Sequence, residues 1–174
     1  MSDLIQHYLP VFRHYLDRID DLAGKVSPDH LAARLTSGSF SALENLVIAQ
    51  GYVLRALCPL AGQAVPELPE AQKAVDLIRR SKKVRGQLDI LSQLPTKGSD
   101  ITHTAGHAEL TQSPYDFIAL YAAPNFFFHF NMAYAILRAQ GCEIGKGDFD
   151  GFHSYPKGFS FVTGTQDQSP EPAQ

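Results

Sequence analysis

Apolar residues recur at three- and four-residue steps at the start of the chain: Leu4, Ile5, Tyr8, Leu9, Phe12, Tyr15, Leu16, Ile19 and Leu22. This spacing predicts an amphipathic helix that closes near Gly24. Pro10 falls inside the pattern, so the helix either begins near Leu9 or kinks there. His7 and His14 lie on the polar side of the same wheel and are expected to be exposed.

Ser27-Pro28-Asp29 has helix-start chemistry for a short segment reaching Ala33-Arg34-Leu35. A second long helix is predicted over 40–62, with Ser41 and Glu44 at capping-box spacing. Its apolar face runs through Leu43, Leu46, Val47, Val53, Leu54 and Leu57, and Gln50 sits in the middle of that face. A third helix runs from about Glu70 to Leu94, where Pro95 ends it. Ile101-Thr102-His103 and Ala108–Thr111 flank Ala105-Gly106 as a small β-hairpin. The fourth helix runs from about Tyr115 to Gln140 and stops at Gly141, with Pro124 kinking or interrupting it. These elements predict an all-α fold, a four-helix bundle with a hairpin between the third and fourth helices. The bundle domain spans 1–151. An extension over 152–174 follows, packing at first through Phe152, Tyr155, Phe159 and Phe161 and disordered from Gly164.

Composition narrows the classes of function. The 174 residues are 44% hydrophobic and 19% charged, which is globular usage, and the net charge is −3. The one basic run, Arg79 to Arg85, reads as a solvated helix face, and no nucleic-acid partner is expected. Cys58 and Cys142 form no CxxC pair and are too few for a disulfide framework. No signal-peptide pattern and no apolar run of ~18 residues occur, so a cytoplasmic protein without a membrane partner is expected.

Bundles build their sites from inward polar side chains on facing helices. On the fourth helix Asn131 and Arg138 share the solvent side, while Asn125, His129, Met132 and Ile136 line the opposite stripe. Asn125, His129 and Gln50 are therefore the candidate pocket residues, free to meet in the core. Three readings remain open: mutual satisfaction of buried groups, a polar pocket, or a metal site centred on His129. His103 and His107 flank the hairpin turn and His153 lies in a loop, and neither place favours a ligand. Gly141-Cys142-Glu143-Ile144-Gly145-Lys146 lacks the spacing and the preceding strand of a P-loop. Cys142 follows a helix C-terminus, which disfavours a thiolate, so it is read as structural.

The blocks Ala123-Pro124-Asn125-Phe126-Phe127-Phe128-His129-Phe130, Ala133 to Arg138, and Gly141 with Ile144 to Phe149 carry a resemblance. So do Leu9–Phe12, Ala33–Leu35, Phe40 and Ile48-Ala49. Together, over most of residues 4 to 151, the chain resembles an uncharacterised bacterial domain-of-unknown-function family. That family lies within the DinB-like (DinB/YfiT-like) metalloenzyme superfamily of four-helix bundles. The resemblance implies a helical bundle, often a homodimer. In well-known members a divalent metal is held by a histidine on the second helix and an HxxxH on the fourth, and some are thiol-dependent transferases or isomerases. His129 matches the second histidine of the HxxxH, Asn125 stands in place of the first, and Gln50-Gly51 occupy the relevant turn of the second helix. His129 is thus the metal-ligand candidate in an incomplete set.

The leading expectation is a small-molecule-binding or degenerate metalloenzyme-like bundle with a polar pocket near Gln50, Asn125 and His129. The alternatives are a metal- or thiol-dependent transferase, and a non-catalytic dimer joined by the Phe-, Tyr- and Leu-rich faces of the first and fourth helices.

Overall fold

The computed structural model describes residues 3–156. Helix α1 (Leu4–Lys25) begins where Asp3 Oδ1 accepts from the Ile5 and Gln6 amides, and it runs unbroken through Pro10. Pro10 withdraws only the hydrogen bond to the Gln6 carbonyl, and both residues are exposed, so water can take that carbonyl. Helix α2 (Pro28–Ala32) is capped by Ser27 and is shorter than its sequence suggested. Helix α3 (Ala42–Leu60) starts with the expected capping box: Ser41 Oγ accepts from the Glu44 amide at 3.1 Å, and Glu44 accepts from the Ser41 amide at 2.7 Å. Helix α4 (Ala74–Leu91) starts later than predicted. Asp76 accepts from the amides of Gln72 and Lys73 and so fixes its first turn there.

Strands β1 (Ile101–Ala105) and β2 (Ala108–Gln112) pair antiparallel, with Ala105 opposite Ala108. The turn is Gly106-His107, one residue later than predicted, because Gly106 takes the left-handed corner at φ +62°. The fourth bundle helix is built in three pieces: α5 (Pro114–Asp116), a π-helical stretch over Phe117–Ala122, and α6 (Ala123–Ala139). Pro124 cannot donate to the Leu120 carbonyl, and the wide turn just before it lets the Ala123 amide reach back to Ile118 O. Helix α7 (Lys146–Asp150) lies on α1, where Lys25 pairs with Asp148 at 2.5 Å. His14, expected to be exposed, donates from Nε2 to the Asp150 carbonyl at 2.7 Å and stacks on Phe152 at 4.9 Å. Residues 157–174, including Phe159, Phe161 and the stretch from Gly164, lie outside the described residues.

The core joins α1, α3, α4 and α6, with α3 and α6 sharing the broadest contact. Phe12, Phe126, Phe130, Leu16, Leu46, Leu54 and Leu57 are fully buried. Aromatics of the first and fourth helices pack on each other inside the chain: Phe12 meets Phe126 at 5.3 Å and Tyr15 meets Phe127 at 4.8 Å, both edge-on. Gln50, fully buried, faces α4, donating to Leu77 O at 2.8 Å and Ser81 Oγ at 2.7 Å. Arg85 crosses from α4 to α1, bridging Asp20 at 2.8 Å and Asp17 at 2.6 Å. Burial raises the Asp20 carboxyl, while Ser81 and Arg85 pull it back down. The basic run Arg79–Arg85 is therefore divided: Arg85 is tied to α1 and Arg80 lies against α3, while Arg79, paired with Asp76, and Lys82 and Lys83 are exposed. No described helix is long and apolar enough to cross a membrane.

Ser81→Ala strands one of the two buried Gln50 amide protons, the other staying on Leu77 O, and is expected to cost about 1–3 kcal/mol in urea unfolding. Gln50→Met removes those donors together with the unpaired Gln50 Oε1 and is expected to cost less. The reverse order would contradict a purely structural role for Gln50.

Candidate functional site

The first turn of α3 sets the chemistry of a histidine on α6. Asn45, buried one turn after the Ser41 cap, donates from Nδ2 to the carbonyls of Phe40 at 3.2 Å and Ser41 at 2.9 Å. Two carbonyls on one end of the amide fix which end is nitrogen. Asn45 Oδ1 is left facing His129 Nδ1 at 2.9 Å. An amide oxygen only accepts, so Nδ1 carries the proton and Nε2 keeps its lone pair. Nε2 has no protein partner and is not one of the buried unpaired atoms, so it retains contact with solvent. Burial, and then the nearby Arg55 charge, hold the His129 pKa below the ordinary value of 6.5, which keeps the ring neutral.

An aromatic wall surrounds it. The Tyr52 ring stacks on His129 at 5.8 Å, with Phe40 and Phe128 edge-on at 6.1 and 5.1 Å. Tyr121 stands 6.3 Å from Tyr52, and burial together with that phenol pushes its hydroxyl up to about 12. Arg55 lies 5.4 Å over the Tyr52 ring. On the other side, a cavity of about 420 Å³ is walled by Phe40, Asn45, Phe128 and Met132. A second cavity, of about 490 Å³ between the start of α1 and residues 95–100, is lined by none of the predicted polar residues.

Gln50, Asn125 and His129 do not share one hydrogen-bonded cluster. Gln50 bonds to α4, His129 to Asn45, and Asn125 returns to its own helix, donating to Tyr121 O at 2.8 Å. That carbonyl lies in the π-helical stretch beside Pro124. His103 was not expected to matter, yet it is half-buried, donates toward Gln112 Oε1 at 2.8 Å and packs on Tyr121 at 4.2 Å. Strand alternation from buried Ile101 is the pattern that reveals it. His107 sits exposed in the turn, away from His103, which faces Leu110. Burial pushes the Cys58 thiol up to about 11 and raises Cys142 as well, so neither is a thiolate at neutral pH.

The divalent metal that the resemblance implies does not fit these donors. His129 offers Nε2, but Asn125 and Gln50 are neutral amides engaged elsewhere. Among the described residues no three His, Cys, Asp or Glu side chains converge.

Residues 3–150 match the family described as "Domain of unknown function (DUF1993)". No curated protein matches the chain. Among solved structures, the crystal structure of a DinB family member protein from Shewanella denitrificans is similar to it, with a TM-score of 0.73 and 23% sequence identity. The match covers 88% of this chain and 94% of that one and shows the DinB-like fold.

Because the folded state lowers the His129 pKa, the unfolded chain binds the proton more readily below about pH 6.5. The stabilisation is whole above that pH and falls as pH drops through it. Thermal unfolding of the wild type is expected to lose more Tm between pH 7.5 and 5.5 than His129→Gln does. Equal losses would contradict the neutral, buried assignment.

Proposed function

The chain belongs to the DUF1993 family, and we propose that it is a small-molecule-binding bundle whose binding group is the outward lone pair of His129 Nε2. The observation that carries this reading is the relay from the Phe40 and Ser41 carbonyls through Asn45 to His129. It holds a neutral imidazole in one tautomer and one direction, with an acceptor left over. Solvent satisfies Nε2 in the free protein, and a ligand donor can take the place of that water. Tyr52, Phe40 and Phe128 supply flat apolar walls, and Arg55 supplies charge at the rim, the mix that organic ligand sites use. Thiol chemistry has no thiolate here, and the metal-dependent reading lacks its donors.

An NMR screen of the full chain against small molecules bearing hydroxyl, amide or ammonium donors tests this. Binders are expected to move the His129 Hε1 and Tyr52 ring signals and to be lost in His129→Gln. Binders confined to the cavity near Asp3 and Thr96, or indifferent to His129→Gln, would contradict it. Elemental analysis of untagged protein is expected to find no stoichiometric divalent metal. One metal per chain, lost in His129→Ala, would return the site to the metalloenzyme reading.

A homodimer is a second, compatible reading. It is supported by Leu120, Phe128 and Phe40, exposed at 68%, 58% and 53%, which leave the outer side of the fourth helix and its neighbouring loop apolar. Light scattering at micromolar concentration is expected to show a dimer that Phe128→Glu dissociates; a wild-type monomer removes this reading.

A further inference from the structure

Among the described residues, Arg13, Arg18, Arg34, Arg79 and Arg85 each pair with an Asp or Glu, whereas Arg55 on α3, Arg80 on α4 and Arg138 do not. Arg138 donates to the Ile144 carbonyl. Arg80 is half-buried. Its Nη1 donates to the Pro69 carbonyl at 2.5 Å, its Nη2 lies 3.7 Å from where a Cβ on Gly51 would stand, and its Nε is buried with no partner. Arg55, at the next turn of α3, is held over Tyr52. Burial, and then the Arg55 charge, disfavour the charged form of Arg80. Arg80 packs against α3 at Gly51, one turn before Arg55 on the same helix, and two guanidinium groups placed a turn apart, one with a buried unpaired N–H, are an arrangement that an anion would complete.

We propose that Arg55 and Arg80 form an oxyanion site that grips the carboxylate or phosphate group of the ligand bound at His129. For the rest of that ligand this rests on the binding reading above; the arginine pair itself stands on its own geometry. The two share one stretch of α3, where Gly51 meets Arg80, Tyr52 stacks on His129 and Arg55 lies over the Tyr52 ring. A planar guanidinium offers two parallel donors to an oxyanion, and with Nη1 of Arg80 on the Pro69 carbonyl its Nε is left as an unpaired donor. Tyr52, stacked on His129 and lying beneath Arg55, would back the ligand between its charged end and its hydrogen-bond donor end.

Thermal shift and calorimetric titration of the full chain with inorganic phosphate and with succinate, against sodium chloride at matched ionic strength, test this. One or both anions should raise Tm saturably beyond chloride, and the one that binds more tightly identifies the source of the oxyanion. Arg80→Gln should weaken that binding roughly tenfold or more. Arg55→Gln, at an exposed position that leaves the core intact, should do the same. No shift beyond chloride, or binding unchanged in both variants, overturns the proposal. His129→Gln separates the two readings: phosphate or succinate binding that survives it, alongside screen hits that did not depend on His129, keeps the arginine site and removes the His129 reading.

Discussion

A side-chain amide held by two backbone carbonyls governs the polar chemistry of this bundle. Asn45 reaches the Phe40 and Ser41 carbonyls at the start of α3, where the Ser41–Glu44 cap has already fixed the chain. Its oxygen then has one direction to point, and His129 of α6 meets it. The proton's place on Nδ1 and the free lone pair on Nε2 follow from that contact, while burial and the Arg55 charge keep the ring neutral. The helix cap thus acts across the interface to the most extensive neighbour of α3.

Two buried polar systems share the core and do different work. Gln50, Ser81, Asp20, Arg85 and Asp17 tie α3, α4 and α1 together, with donors and acceptors facing each other along the helix seams. These contacts link the helices side chain to side chain, although Gln50 Oε1 and Asp20 Oδ1 are left without a partner and Asp17 is exposed. The Asn45–His129 pair, with Tyr52, Tyr121 and Arg55 around it, leaves one acceptor and nearby cations open. The fold is that of a DinB-like bundle, and the two amides that stand beside His129 in the ligand set implied by the resemblance, Asn125 and Gln50, bond within the protein.

Much of the architecture was legible in the chain. The apolar steps of α1, the Ser41–Glu44 box and the terminal Gly141 each act locally, and local patterns survive folding. The inward direction of His129 and Gln50 was also readable, since a wheel depends only on helix geometry. Their partners were not. Gln50 turned to α4 because Ser81 stood across the seam, and Asn125 turned to its own backbone because the π-helical stretch before Pro124 left the Tyr121 carbonyl within reach. Such a stretch shifts the wheel without marking the hydrophobic pattern. Asn45 went unnoticed as one more polar residue near a helix start, although it stands one turn after the cap and two turns before Tyr52. His14 was misjudged because the helix covering it, α7, arrives from far along the chain.

The account turns on the protonation pattern of one ring. A long-range ¹H–¹⁵N correlation spectrum of the full chain at pH 7.5 reads it directly, with His129→Gln identifying the signals. The account predicts a neutral ring with a protonated Nδ1 and an unprotonated Nε2, and predicts that Asn45→Leu abolishes this preference. A proton on Nε2, or a charged ring at that pH, would contradict it.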